Sequence, residues 1–154
     1  MGDVTEQDSR PVDDRLTLEG GRLALAEHAR CKGEQLRAGY GSEMDYATLL
    51  RLLEDRDCVH FPASLEFDSS RVGEGLFGSV VSRSGRPGDG YTIYLHEKLR
   101  GCDSDVVAAV LYLLVVVNYG DFATARDAEV FGAAALGVEQ EQYYELVCEL
   151  ADSI

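Results

Sequence analysis

Positive charge is scarce in this 154-residue sequence, which has 14 Lys and Arg residues against 28 Asp and Glu and a formal net charge of −14 at pH 7. Residues 101–154 contain ten acidic residues and a single base, Arg126. A negative field of this kind repels phosphate backbones and anionic lipid surfaces. We therefore expect no direct binding to nucleic acid or membrane. Two explanations of the charge stay open: solubility alone, or a basic protein surface as partner.

Long apolar segments are also missing. The longest apolar run, residues 106–117, is well short of the ~20 residues that span a bilayer. Residues 1–10 lack the apolar stretch of a secretory signal. These absences predict a soluble, cytoplasmic protein. Residues 1–15 are polar and aperiodic, which predicts a flexible acidic tail before a single domain at 16–154.

The sequence has no C-x-x-C pair, and its four cysteines are widely spaced: Cys31, Cys58, Cys102 and Cys148. Without a secretory signal, this arrangement favours reduced thiols over disulfides. Two cysteines and two histidines nevertheless supply the donor types that zinc prefers, and they are Cys58, His60, His96 and Cys102. Their spacing matches no familiar zinc motif, so we predict no metal and no cofactor and keep these four residues as weak candidates.

Complete catalytic motifs are absent as well. The segment Gly73–Val80 has the letters G-x-G-x-x-G-x-V of a kinase glycine loop, but neither H-R-D nor D-F-G occurs, so it is predicted to be a glycine-rich hairpin turn. No G-x-S-x-G elbow is present. A Cys–His nucleophile would need a lowered thiol pKa, which acidic surroundings oppose. We predict no catalytic residue. The alternative is a small hydrolase or metal-dependent enzyme that uses His60, His96 and a nearby Cys or Glu97.

Hydrophobic periodicity predicts five helices. In the first, from about residue 19 to 40, small and apolar residues share one face: Ala26, Ala29, Gly33, Leu36 and Tyr40. The second is expected to begin at a capping box of Ser42 and Asp45 and to bury Tyr46, Leu49, Leu50 and Leu53. The third, capped by Asp103 or Ser104 and ending at Val117, is apolar on nearly every side and is predicted to be central and buried.

The last two helices have clear boundaries and faces. Thr124 and Asp127 resemble a capping box, and Gly137 is a suitable C-terminal glycine. Ala128, Phe131 and Ala135 form the apolar face between them. The final helix has an apolar side of Tyr143, Leu146, Val147 and Leu150. Glutamates recur every four residues on its other side, at Glu141, Glu145 and Glu149.

Between these groups of helices lie short β-branched or aromatic runs, which predict a sheet of three or four strands, mainly antiparallel. The runs are 58–61, 65–67, 76–82 and 91–95. Tyr91, Ile93 and Leu95 alternate with more polar residues, as in a strand with one buried face. Two helices, a small sheet and three further helices together predict an α+β fold.

The order of a strand at 91–95, an apolar helix and a helix with an aromatic end resembles that of small SprT-like zinc metallopeptidases. In that family the apolar helix ends in H-E-x-x-H, and a third histidine follows. Alignment on Leu113–Val115 places Val116, Val117, Gly120 and Arg126 at those positions. The resemblance therefore implies a relative that lacks both the zinc ligands and the general base.

The function that the sequence favours is a non-catalytic interaction or regulatory module. Its acidic C-terminal helices would dock on a basic partner surface through Glu141, Glu145 and Glu149. Like charges at this spacing weaken an isolated helix. The stripe is therefore expected to serve solubility or a partner rather than stability.

Overall fold

The structure, a computed structural model, describes residues 18–154. These residues form five α-helices and three strands, which is the α+β fold that the sequence predicts. The helices are α1 (Leu18–Tyr40), α2 (Tyr46–Leu53), α3 (Asp103–Tyr119), α4 (Ala125–Leu136) and α5 (Gln140–Asp152), and the strands are β1 (Ala63–Phe67), β2 (Gly78–Ser82) and β3 (Tyr91–Leu95). The tail predicted at residues 1–15 lies outside the described residues. None of the helices described is both long and apolar enough to cross a membrane.

The sheet is mixed, with the strand order β1-β3-β2. β2 and β3 form an antiparallel pair, as predicted, whereas β1 runs parallel to β3 from Ala63↔Tyr91 to Phe67↔Leu95. The chain reaches β2 before it returns to β3, so β3 enters between the other two strands. The fourth predicted strand, at residues 58–61, is instead a bend. Asn118 holds this bend, since it accepts a hydrogen bond from the His60 amide (2.8 Å) and donates one to the Cys58 carbonyl (3.2 Å).

Helix α3 is the centre of the hydrophobic core. Val110, Leu111, Leu114 and Val117 are completely buried, as predicted, and further buried residues from Val106 to Val115 cover the other sides of the helix. The sheet, α2, α4 and α5 all contact it. Neighbouring elements cover nearly every side of α3, which is the environment that a helix without a polar face requires.

Small residues allow the first and fourth helices to approach closely. The predicted face of α1 is confirmed, since Ala26, Ala29, Gly33 and Leu36 are buried and Tyr40 is partly buried. A Cβ atom at Gly33 would lie 2.5 Å from the Phe131 carbonyl oxygen and 2.8 Å from the Ala134 Cβ. At this crossing a larger side chain would push the two helices apart.

The helix ends confirm two predictions and correct two others. Thr124 and Asp127 form the predicted capping box of α4, and Gly137 ends that helix with a φ of +71°. The side chain that caps α2 is Asp45, not Ser42. Helix α3 follows Cys102 and has no side-chain cap; Asp103 is its first residue, and its carboxylate accepts a hydrogen bond from the Tyr46 amide (3.0 Å).

The buried face of α2 also differs from the prediction. Leu49 and Leu53 are buried as expected, but Leu52 takes the third buried position, and Leu50 is 40% exposed. Tyr46 is partly buried and lies near Phe67. A helix of eight residues buries only one narrow face. The orientation of α2 against α3 places Leu52 on that buried face and leaves Leu50 exposed.

Candidate functional site

The four weak zinc candidates lie at two opposite ends of the sheet. Cys58 and His60 precede β1, whereas His96 and Cys102 follow β3. Because β1 and β3 are parallel and in register, these pairs are separated by the length of a five-residue strand, roughly 17 Å. Across the described part of the chain, no group of three or more His, Cys, Asp or Glu side chains is arranged to hold a metal ion.

In the described residues no hydrogen bond joins a cysteine to a histidine. Burial, and then the neighbouring Asp55 carboxylate, raise the pKa of the Cys58 thiol, which disfavours the thiolate that a nucleophile requires. The His60 ring packs edge-on against Phe61, with ring centroids 4.4 Å apart. At the other end of the sheet, His96 Nδ1 accepts a hydrogen bond from the Lys98 amide, while Cys102 Sγ lies 3.8 Å from the hydroxyl of Ser104. Glu97, the remaining candidate of the enzyme alternative, is exposed beside His96.

The glycine-rich segment Gly73–Val80 has a packing role in this fold. It leads into β2 and is not a hairpin turn, because β2 pairs with β3 and not with the preceding strand. A Cβ atom at Gly78 would lie within 3 Å of side-chain atoms of Leu113 and Leu95. Glycine is therefore required where the start of β2 meets the central helix.

All three glutamates of the predicted stripe on α5 are exposed. Glu141 and Glu145 line a shallow depression of about 870 Å³, together with Glu129 of α4, Glu139 and Tyr144. Glu149 lies one turn further along the helix and does not line it. Sequence periodicity alone missed Glu129 and Glu139, which reach this surface because α4 and α5 pack side by side.

Basic side chains do not neutralise this depression. Within the part of the chain that the structure describes, the ion pairs are those of Arg30 with Glu27 and Glu34. Arg126, the one base in the C-terminal third, lines a neighbouring cavity between α1 and α4 with Arg30 and Arg37, and this cavity shares Glu139 and Gln140 with the depression. The only hydrogen bond to Glu129 in the described residues comes from the Gln140 amide group (3.3 Å).

An apolar groove of about 290 Å³ adjoins the acidic depression, and both are lined by Glu129 and Tyr144. Its apolar lining comes from α3, α5 and the start of β2, and comprises Leu76, Phe77, Tyr112, Leu113, Val147 and Ala151. Leu76 is 52% exposed and Tyr144 is 49% exposed. The sequence gives no sign of this groove, because the residues that line it come from segments far apart in the chain.

The two tyrosines at 143 and 144 show how α5 separates core from groove. Tyr143 is buried, and its hydroxyl donates a hydrogen bond to the Ala108 carbonyl of α3 (2.8 Å). Tyr144, the next residue, lies in the wall of the groove, where the neighbouring Cys148 thiol raises the pKa of its phenol. Cys148 and the other three cysteines are free thiols, as predicted.

No protein-family model, curated protein or solved structure matches this chain. The similarity in element order to SprT-like peptidases is thus not accompanied by a family match. In the structure Val116 and Val117 lie on different sides of α3, the first 38% exposed and the second buried.

Proposed function

We propose that this chain is a non-catalytic docking module that binds a basic segment of a partner protein. The observation that carries the proposal is the continuity of the acidic depression with the apolar groove, which share Glu129 and Tyr144. Hereafter the two together are called the α5 surface. A partner segment that combines Lys or Arg residues with one or two large apolar side chains complements both parts.

The charged part of the α5 surface supplies attraction and orientation. Glu129, Glu139, Glu141 and Glu145 surround one depression, and their charges are not compensated by ion pairs among the described side chains. Complementary charge accelerates association and selects against acidic partners more than it adds affinity. The binding that results is expected to weaken steeply with ionic strength, because exposed charges are screened over ~10 Å at 0.1 M salt.

The apolar part supplies the anchor. Leu76 and Tyr144 are large side chains with about half their surface in water, and they flank a groove whose floor includes Leu113 and Val147. Interfaces derive most of their affinity from a few apolar or aromatic residues that enter such pockets, surrounded by polar contacts. An acidic surface that served solubility alone has no need of an apolar groove at its edge.

The experiment uses a synthetic 14-residue Leu/Lys helical peptide that carries one Trp. The chain itself has no Trp, so the emission maximum of the peptide reports entry into an apolar environment. We expect saturable binding with a blue shift at 0.05 M salt. Substitution of Glu129, Glu141 and Glu145 by Gln is expected to weaken binding about tenfold at that salt and much less at 0.5 M.

Two matched controls locate the binding site. A triple variant with Glu43, Glu66 and Glu74 changed to Gln removes the same charge from exposed positions elsewhere and should bind nearly as well as the wild type. Leu76→Ser is expected to weaken binding about fivefold, since burial of half a Leu side chain is worth about 1 kcal/mol. Leu50→Ser, at another exposed leucine, should have no effect. Equal losses in the two triple variants, or no binding at all, would contradict the proposal.

A further inference from the structure

A second cleft, of about 240 Å³, lies between α1, the segment before β1 and the end of α3. Its lining includes His28 and Lys32 of α1, Arg56 and His60 of the connecting segment, and Asn118 and Tyr119 at the end of α3. Two of the three histidines and one of the two lysines of the sequence are thus gathered in one place, in a chain with a net charge of −14.

The two cations of this cleft are oriented by backbone carbonyls and not by carboxylates. Lys32 Nζ donates to the Asp57 carbonyl oxygen (3.1 Å), and Arg56 Nη1 donates to the carbonyls of Leu53 (3.2 Å) and Val59 (3.0 Å). Neither cation forms an ion pair with the carboxylates that the structure describes. Their positive charge therefore stays available to a ligand.

The remaining lining groups also present hydrogen-bond donors. Burial, and then the charge of Asp127, raise the pKa of Tyr119 to about 12, so its hydroxyl stays protonated at neutral pH. This hydroxyl lies 2.6 Å from His28 Nδ1. The hydrogen bond between the two groups fixes the His28 ring in the wall of the cleft.

The carboxylates of Asp55 and Asp127 act on Cys58 and Tyr119 of the lining but do not line the cleft themselves. Asp57 is the single acidic residue in the lining. The carboxylate of neighbouring Asp55 is already engaged by the hydroxyl of Tyr40 (2.6 Å) and the amide of Asp57 (2.9 Å). Asn118 fixes the bend at 58–60 through both ends of its side-chain amide, so the donors are held on ordered elements before a ligand arrives.

We propose that this cleft binds the phosphate group of a small phosphorylated molecule through Lys32, Arg56 and the two histidine rings. Lys and Arg are the usual partners of phosphate oxygens, and their charge-assisted hydrogen bonds are about twice as strong as neutral ones. The volume is below the 300–1,000 Å³ of pockets for drug-sized ligands, so the bound molecule is little larger than the phosphate itself. This site is separate from the α5 surface, and neither proposal depends on the other.

The test is a titration of the full chain with inorganic phosphate at constant ionic strength, balanced with sodium chloride. Phosphate should shift the ring NMR signals of His28 and His60 but not those of His96, which lies beyond the other end of β3. Saturation with phosphate should also raise the melting temperature by about 2–4 °C, because ligands that bind only the folded state stabilise it.

The chain offers a control in its second lysine, since Lys98 lies outside the cleft and donates a hydrogen bond to the terminal Ile154 oxygen (2.9 Å). Lys32→Gln should abolish the phosphate-dependent shifts, whereas Lys98→Gln should retain them. His60→Gln provides a second variant in the cleft, and a loss of response there also supports the site. Absence of any response in the wild type, an equal response to sodium chloride, or an unchanged response in Lys32→Gln would overturn the proposal.

Discussion

Helices α3 and α5 contact each other, yet they use their side chains in opposite ways. Helix α3 has buried residues on nearly all sides, with Val116 as an exposed exception. Helix α5 buries Tyr143, Val147 and Leu150 on one side and places glutamates on the other. The two helices thus differ within the C-terminal third: α3 lies in the core, whereas α5 exposes glutamates that form no ion pair among the described residues.

The largest effect is expected from truncation within α3. Leu114→Ala should lower the free energy of unfolding by about 2–5 kcal/mol, because it removes a completely buried side chain and leaves a cavity. Val116→Ala, on the same helix but 38% exposed, should change it by no more than about 0.5 kcal/mol. Urea denaturation of both variants measures the difference, and similar losses in the two would show that α3 is not the centre of the core.

A smaller effect is expected where α5 meets α3. Tyr143→Phe removes the hydrogen bond to the Ala108 carbonyl and should cost about 1 kcal/mol at pH 7. Burial holds the pKa of Tyr143 well above its usual value of about 10. As the pH rises above 10, the phenol therefore loses its proton in the unfolded state before it does so in the folded state. Stability from this group is therefore complete below pH 10 and falls as the pH rises further.

Denaturation between pH 8 and 11 tests this linkage. Tyr143→Phe should show a shallower alkaline loss of stability than the wild type, since one tyrosine with a raised pKa has been removed. Tyr94→Phe, at a partly buried tyrosine on β3, serves as the control and should keep the wild-type slope. Identical slopes for all three proteins would mean that the phenol of Tyr143 is accessible to water in the folded state.

The smallest effect on stability is expected from the acidic side of α5. Replacement of Glu141, Glu145 and Glu149 by Lys should leave the free energy of unfolding within about 0.5 kcal/mol of the wild type, or raise it slightly at low salt. The same variant should lose affinity for the Leu/Lys peptide. A loss of several kcal/mol would show that the glutamates stabilise the fold, and the division between α3 and α5 would then be wrong.

Local patterns predicted the helices well because each pattern depends on neighbours within one or two turns. The capping box of Thr124 and Asp127, the closing Gly137 and the buried face of α1 are all of this kind. Patterns were less reliable where two local solutions compete. At α2 the sequence predicts a capping box of Ser42 and Asp45, whereas in the structure Asp45 is the cap and the Tyr46 amide is held by Asp103 of α3.

The candidate sites were predicted much less completely than the helices. Of the α5 surface, the sequence indicated Glu141 and Glu145 but not Glu129, Leu76 or the exposure of Tyr144. Of the second cleft it indicated Cys58 and His60, as weak zinc candidates, without Lys32 or Tyr119. Both sites join residues that are far apart in the chain, as His28 and Tyr119 of the second cleft are at 91 positions, and sequence periodicity carries no information over such distances.

By itself the sequence determined the α+β class, the buried central helix, the free thiols and the strong negative charge. Each of these follows from composition or from apolar periodicity, which act through burial and local backbone geometry. The tertiary structure alone decided that β1 lies parallel to β3, that the zinc candidates are separated, and that an apolar groove borders the acidic depression. These features depend on which elements pack together, and that choice is made by the shape of the whole core.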